Sequence, residues 1–153
     1  MDRNSCDSVE IGQVRKIRPT RRSLSGVYAF RGETAIPYES SLERDFLIRL
    51  EFFHDVVYVI PQPIQMSFVA GNGRTFPYTP DFLVFFKLGD RSYEQYPKPL
   101  LVEVKPEDQW KKHWREWSAK WKTARRHAIE QGWRFRIFDE SRIHDQAFDN
   151  IKF

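Results

Sequence analysis

Residues 100–105, LLVEVK, set the terms on which this chain can fold. Side chains alternate faces along a strand, so Val102 and Val104 point one way while Glu103 and Lys105 point the other. Taking a charge out of water without a partner costs several kcal/mol, so two charges inside so apolar a strand need partners. The segment FLVFF, Phe82 to Phe86, is apolar on both faces and belongs at the centre of a sheet. Strands of that kind require covering layers, and the rest of the chain has the periodicity to supply them.

YESSLERDFLIRLEFF repeats Leu42, Phe46, Leu50 and Phe53 at three- and four-residue spacing, which predicts an amphipathic helix. Ser40 followed by Glu43 is a capping-box pattern that starts it, with the Glu43 side chain reaching back to the Ser40 N–H. After the break at His54-Asp55, VVYVI (56–60) reads as a strand punctuated by Pro61 and Pro63. IQMSFV and a returning RTFPYTPDFLVFF flank Gly71-Asn72-Gly73, a hairpin signature. Pro106 has no N–H for a ladder and stops the strand that ends at Lys105. Glu107 and Asp108 then open one long helix to about Gln131, with Gly132 as its cap. WRFRIFD is a last strand, and SRIHDQAFDNIKF a short terminal helix. The expectation is one α/β domain over residues 37–153, a mixed central sheet flanked by helices. Residues 1–36, without clear period, form a basic N-terminal arm or extension ahead of it.

Charge and cysteine usage narrow the partners. The chain of 153 residues carries a net charge of +4, and Arg15, Lys16, Arg18, Arg21 and Arg22 crowd into eight positions. Such a cluster is either a solvated arm or a DNA-contacting one. Cys6 is the only cysteine, which excludes an intramolecular disulfide and fits a reducing cytoplasm. With His54, His113, His127 and His144 scattered, no Cys/His zinc pattern forms. No apolar run approaches the ~20 residues of a membrane span, and the first residues contain no signal segment.

An antiparallel hairpin centred on Tyr93 would place Leu83 opposite Glu103 and Asp81 opposite Lys105. Asp81, Glu103 and Lys105 then share one site. Two carboxylates and an ammonium lower each other's desolvation cost, and an oxygen-preferring cation, Mg²⁺ or Mn²⁺, lowers it further. Such a site suits phosphodiester chemistry, with Lys105 orienting an attacking water. The plainer reading of Glu-x-Lys is a surface pair on an edge strand. Trp110, Trp114, Trp117 and Trp121 form one helical stripe, either a core face or a base-stacking surface. Lys111, Arg115, Lys122 and Arg126 fall on a neighbouring flank. They are either a solvated basic face or a phosphate-tracking stripe beside the metal site. Glu43 is a cap or a catalytic carboxylate, and Glu39, one turn earlier, is its substitute.

Pro80-Asp81 followed by Glu103-Val104-Lys105 resembles the PD-(D/E)xK nuclease superfamily. SSLERDFLIRLEF, YTPDFLVFF, LLVEVKP and FRIFDESRI, in that order, resemble the N-terminal catalytic domain of TnsA-type transposase endonucleases over about residues 25–143. The resemblance implies a restriction-endonuclease-like fold whose Mg²⁺ site cuts DNA at the 5′ ends of a transposon while a partner transposase cuts the 3′ ends. It implies the helix carboxylate at Glu43, the metal-binding aspartate at Asp81, the next site position at Glu103 and the catalytic lysine at Lys105. Glu43, Asp81, Glu103 and Val104 are the implied metal ligands. Double-stranded DNA and a transposase subunit are the implied partners. Larger family members add a C-terminal domain that contacts a regulatory ATPase, and the resemblance does not extend to one. Compact phage head-completion nucleases share this length and motif order and are the alternative. A non-catalytic DNA-binding assembly subunit of the same fold is the rival from another class.

Overall fold

The computed structural model describes residues 11–17 and 24–151. Arg18, Arg21 and Arg22 lie outside the described residues. In chain order the elements are β1 (Gly26–Phe30), β2 (Thr34–Tyr38), α1 (Ser41–Glu51), β3 (Val56–Pro61), β4 (Met66–Val69), β5 (Thr75–Tyr78) and β6 (Phe82–Phe86). There follow β7 (Leu100–Val104), α2 (Glu107–Lys112), α3 (Trp114–Glu130), β8 (Arg134–Phe138), α4 (Glu140–Ile143) and α5 (Gln146–Ile151). The central sheet is ordered β3-β6-β7-β8. β6 runs antiparallel to β3 and β7, while β7 and β8 are parallel, so the sheet is mixed. The strands apolar on both faces, β6 and β7, hold the two internal places, as their composition requires.

Each face of the sheet has its own core. Phe46, Leu47 and Leu50 of α1 pack with Phe82, Val84, Val102 and Val104 on one side. Trp121, Ala124 and Ala128 of α3 cover Leu83 and Leu101 on the other. Phe46 is fully buried, its ring 5.5 Å from Phe82 and 5.0 Å from Phe138. Phe46→Ala should therefore cost about 3–5 kcal/mol in urea denaturation. A loss under about 1 kcal/mol would place the stability of that layer elsewhere.

Two segments differ from expectation. Residues 26–38 form the β1–β2 hairpin, within the stretch where the sequence shows no period. Each five-residue strand buries a single core side chain, Phe30 in β1 and Ile36 in β2, too few to leave a pattern. Both residues nonetheless join the α1-side core. The long helix is also broken. α2 ends at Lys112, His113 leaves helical dihedrals (φ −99°, ψ 16°), and α3 begins at Trp114. Trp110 Nε1 donates to Asp139 Oδ2 at 2.9 Å and Glu107 N to Glu140 Oε2 at 2.8 Å, fixing α2 to the end of β8. α3 follows the sheet instead, and the break lets each helix meet its own partners. It ends as Gly132 implies: Gly132 (φ +76°) donates to Ile129 O, and Trp133 N to Ala128 O at 2.7 Å, a Schellman closure.

Of the tryptophan stripe, only Trp121 is buried, at 3% exposure. Trp110 and Trp117 are half-buried against the same core. Trp114 is 49% exposed, so the stripe is a core face interrupted at Trp114, where α3 begins.

Candidate active site

β6 and β7 pair with Phe82 opposite Val102 and Leu83 opposite Leu101, one pair away from the expected register. The connection explains the slip. It contains a 3-10 turn at Tyr93–Gln95 and is tied down by Tyr96 OH donating to Phe86 O at 2.7 Å, so it does not fold evenly about Tyr93. Asp81, just before β6, thereby lies beside Glu103 rather than opposite Lys105, and the two carboxylates are close enough to raise each other's cost of ionisation. Asp81 is fixed on three sides. Its N–H donates to Val102 O at 3.0 Å, its carbonyl accepts from Gln62 N at 2.8 Å, and its Oδ2 accepts from Val104 N at 2.7 Å.

Glu103 is buried at the centre of the cluster. Tyr78, at the end of the β4–β5 hairpin, donates its hydroxyl to Glu103 Oε2 at 2.6 Å. The other oxygen, Oε1, faces Lys105 Nζ at 3.8 Å and Lys120 Nζ at 3.9 Å. Glu43 enters from the first turn of α1. Ser40 Oγ accepts from Glu43 N at 3.1 Å as a capping box requires, but Glu43 Oε2 accepts from Glu39 N at 2.8 Å rather than from Ser40. Glu39 itself accepts a 2.8 Å ion pair from Arg15.

Burial dominates the electrostatics. It pushes the Glu43 carboxyl up to about 7, with the Glu39 charge adding to the rise against the hydrogen bond from Glu39 N. Burial also holds Asp81 well above the usual carboxylate range, reinforced by Glu103 and then Glu43. For Lys105 burial disfavours the charge, but Glu103, Asp81 and Glu43 together outweigh it and raise its pKa. Lys120 goes the other way: burial lowers it, against the pull of Glu103. Carboxylates this expensive to ionise suit a cation-binding role.

The donor set fits a hard divalent ion: three buried carboxylates, and at Val104 a residue whose only oxygen is its carbonyl. Glu43 Oε1 and Asp81 Oδ1 have no hydrogen-bond partner among the described residues. The side chains are not yet closed around a point, however. No group of three His, Cys, Asp or Glu among the described residues stands at ligand spacing.

A cavity of about 820 Å³ opens beside the cluster, lined by Glu43, Val104 and Lys105 and, on its far wall, by Arg15, Lys16 and Ser25. The basic arm thus reaches the site. Arg15 is turned inward, donating from Nε to Gln62 Oε1 at 2.9 Å besides pairing with Glu39, whereas Lys16 is exposed at the rim. The helical basic flank is placed differently. Lys111 is ion-paired with Glu107. At roughly 100° per residue, Arg115, Lys122 and Arg126 lie more than 100° around α3 from Lys120, the residue that reaches Glu103. The flank faces away from the carboxylates, and the stripe expected beside the metal site is not beside it. A separate cleft of about 690 Å³ gathers Lys98, Arg125, Arg134, Arg136 and Arg142 along β8, apart from the carboxylates.

Sequence reasoning missed two residues here, Tyr78 and Lys120. Tyr78 follows the alternation that aims Phe76 and Tyr78 at one face of its strand. Lys120 lies between Trp117 and Trp121, on the flank opposite the basic stripe, so a helical wheel carries the signal.

Residues 53–140 match the family model described as TnsA-like endonuclease N terminal. The chain belongs to this family. The TnsA-like match takes in Asp81, Glu103, Lys105 and Lys120, and begins after Glu43. It accounts for the mixed sheet with helices on both faces as a restriction-endonuclease-like fold, and it makes the protein a nuclease of the transposase family. No curated protein matches the chain. Among the described residues no helix is long and apolar enough to cross a membrane.

Proposed function

We propose that this TnsA-like domain is a Mg²⁺-dependent DNA endonuclease, with Mn²⁺ able to substitute, and that it cuts the 5′ ends of a mobile element beside a partner transposase subunit. The observation that carries the reading is Asp81, just before β6, with its Oδ2 bound to Val104 N beside the buried Glu103, and Lys105 Nζ 3.8 Å from Glu103. Asp81 and Glu103 would hold the cation, joined by the Val104 carbonyl, with Glu43 placing a second ion or closing the first. A divalent cation there supplies Lewis-acid polarisation of the phosphoryl oxygen and a more acidic bound water. The protein's own contribution is positional. Lys105 presents an ammonium to the attacking water and to the charge that builds on the phosphoryl oxygens. The buried strand ends exclude bulk solvent behind the carboxylates, and the cavity admits the backbone in front of them. The family match favours transposition over phage head completion, and the full set of Glu43, Asp81, Glu103 and Lys105 favours catalysis over a purely assembling role.

A plasmid-nicking assay tests this directly. Supercoiled DNA should be nicked or linearised with Mg²⁺, preserved with EDTA, and preserved by Asp81→Asn in Mg²⁺. Equal cutting by wild type and Asp81→Asn would remove the chemistry from this site.

The route of the DNA is tested by salt dependence. Neutralising one side chain that pairs with a phosphate flattens the slope of log affinity against log salt by about 0.9. Lys16→Gln at the cavity rim should show that change, whereas Arg115→Gln, Lys122→Gln and Arg126→Gln should leave the slope intact. The opposite pattern would move the duplex to the outer flank of α3.

A further inference from the structure

Lys120 holds a position that a packing lysine does not. Such a side chain lays its stem on apolar surface and sends its ammonium to water. Here the ammonium is turned inward, 4.8 Å from the Trp117 ring centroid, 5.2 Å from Tyr78 and 5.7 Å from Trp121. Its remaining neighbour is Glu103 Oε1 at 3.9 Å, and the side chain is only 16% exposed, against 31% for Lys105. Three ring faces and one carboxylate favour a cation at that point.

The two lysines at Glu103 are therefore not equivalent. Lys105 stands at the cavity, able to meet substrate. Lys120, on α3, lines a separate and smaller cleft of about 300 Å³ and lies 5.2 Å from the ring of Tyr78, which holds the other carboxylate oxygen. Tyr78 holds one Glu103 oxygen by a hydrogen bond, and Lys120 and Lys105 flank the other at 3.9 and 3.8 Å. A fixed positive charge so close also repels an arriving dication.

We propose that Lys120 is a positioning residue of the active site: a ring-flanked counter-ion that orients Glu103 for cleavage and weakens the carboxylate cluster's hold on its divalent cation. The proposal rests on the nuclease reading above.

The two effects have opposite signs, and that separates them from a structural role. Lys120→Met keeps the length and the ring contacts but removes the charge, while Lys120→Arg keeps the charge. Mn²⁺ affinity is measured by calorimetry without DNA, and plasmid nicking at saturating Mg²⁺. Lys120→Met should bind Mn²⁺ roughly tenfold tighter and yet nick several-fold more slowly, and Lys120→Arg should return the affinity to that of wild type. Lys120→Gln substitutes in the same measurements if the methionine variant does not fold. Wild-type or weaker Mn²⁺ affinity in the neutral variant overturns the proposal and leaves the nuclease reading standing. A wild-type protein that neither binds Mn²⁺ nor nicks DNA overturns both.

Discussion

Lys105→Ala should lose roughly 10²- to 10³-fold in cleavage rate, while its affinity for DNA should stay within a few-fold. The separation follows from where the ammonium sits. Lys105 Nζ is 3.8 Å from Glu103 and 5.5 Å from the Trp117 ring centroid, on the cavity side of the cluster. The surrounding carboxylates raise its pKa despite burial, so it is an ammonium throughout the neutral range. Affinity draws on many phosphate contacts, of which it is at most one. The charge that builds on the phosphoryl oxygens during attack draws on few groups, and Lys105 is placed to be one of them. Single-turnover nicking and a binding titration, run on the same preparation, measure the two quantities separately. A variant that cleaves at the wild-type rate would end the assignment of chemistry to this site.

Glu43→Gln should divide stability from activity. Below the ordinary carboxylate value of 4.5 the Glu43 side chain is neutral whether the chain is folded or unfolded. Between 4.5 and about 7 the unfolded chain ionises it and the folded one resists, because burial disfavours the charge. Its contribution to stability is therefore complete below 4.5 and is lost as the pH rises through about 7, a difference of about 3 kcal/mol at most. Glutamine has no such loss, and its carbonyl can still accept the Glu39 N–H at the start of α1. Denaturation without metal should show the two proteins equal at pH 4 and the variant the more stable at pH 8. Cleavage in Mg²⁺ should meanwhile fall by orders of magnitude, since an amide supplies no negative charge to a cation. Glu39→Gln is the matched comparison. It loses an ion pair with a half-exposed Arg15, worth under about 1 kcal/mol, and should stay active. If Glu39→Gln is dead and Glu43→Gln active, the helix carboxylate is the earlier residue.

Much of this is legible in the order of residues alone. The apolar strands, the Ser40 N-cap, the hairpin around Gly71-Asn72-Gly73 and the Gly132 cap are local signals, carried by a few adjacent residues, and the fold keeps each of them, though Glu43 closes its half of the capping box on Glu39 N instead of Ser40 N. Registers and flanks are not local. The offset that pairs Phe82 with Val102 and so brings Asp81 beside Glu103 is set by how the 87–99 connection folds, and Tyr96 bonding back to Phe86 leaves no trace in either strand's pattern. The break at His113 depends on Asp139 and Glu140, more than twenty residues away, pulling α2 aside. Lys120 is hidden for a further reason. A lysine beside tryptophans reads as a solvated residue until the sheet supplies Glu103 as its partner.

The sheet separates the α1 and α3 cores, but the cluster at its strand ends draws on both. Glu43 arrives on the helix seated in one core, Lys120 on the helix seated in the other, and Asp81 and Glu103 stand on the strands between them. The cluster therefore behaves as a caliper closed across the thickness of the domain. A slight repacking in either layer, well away from any reacting atom and well short of unfolding, alters the gap between its jaws. Distant core substitutions in this protein should thus surface first as changed cleavage and only later as lost stability.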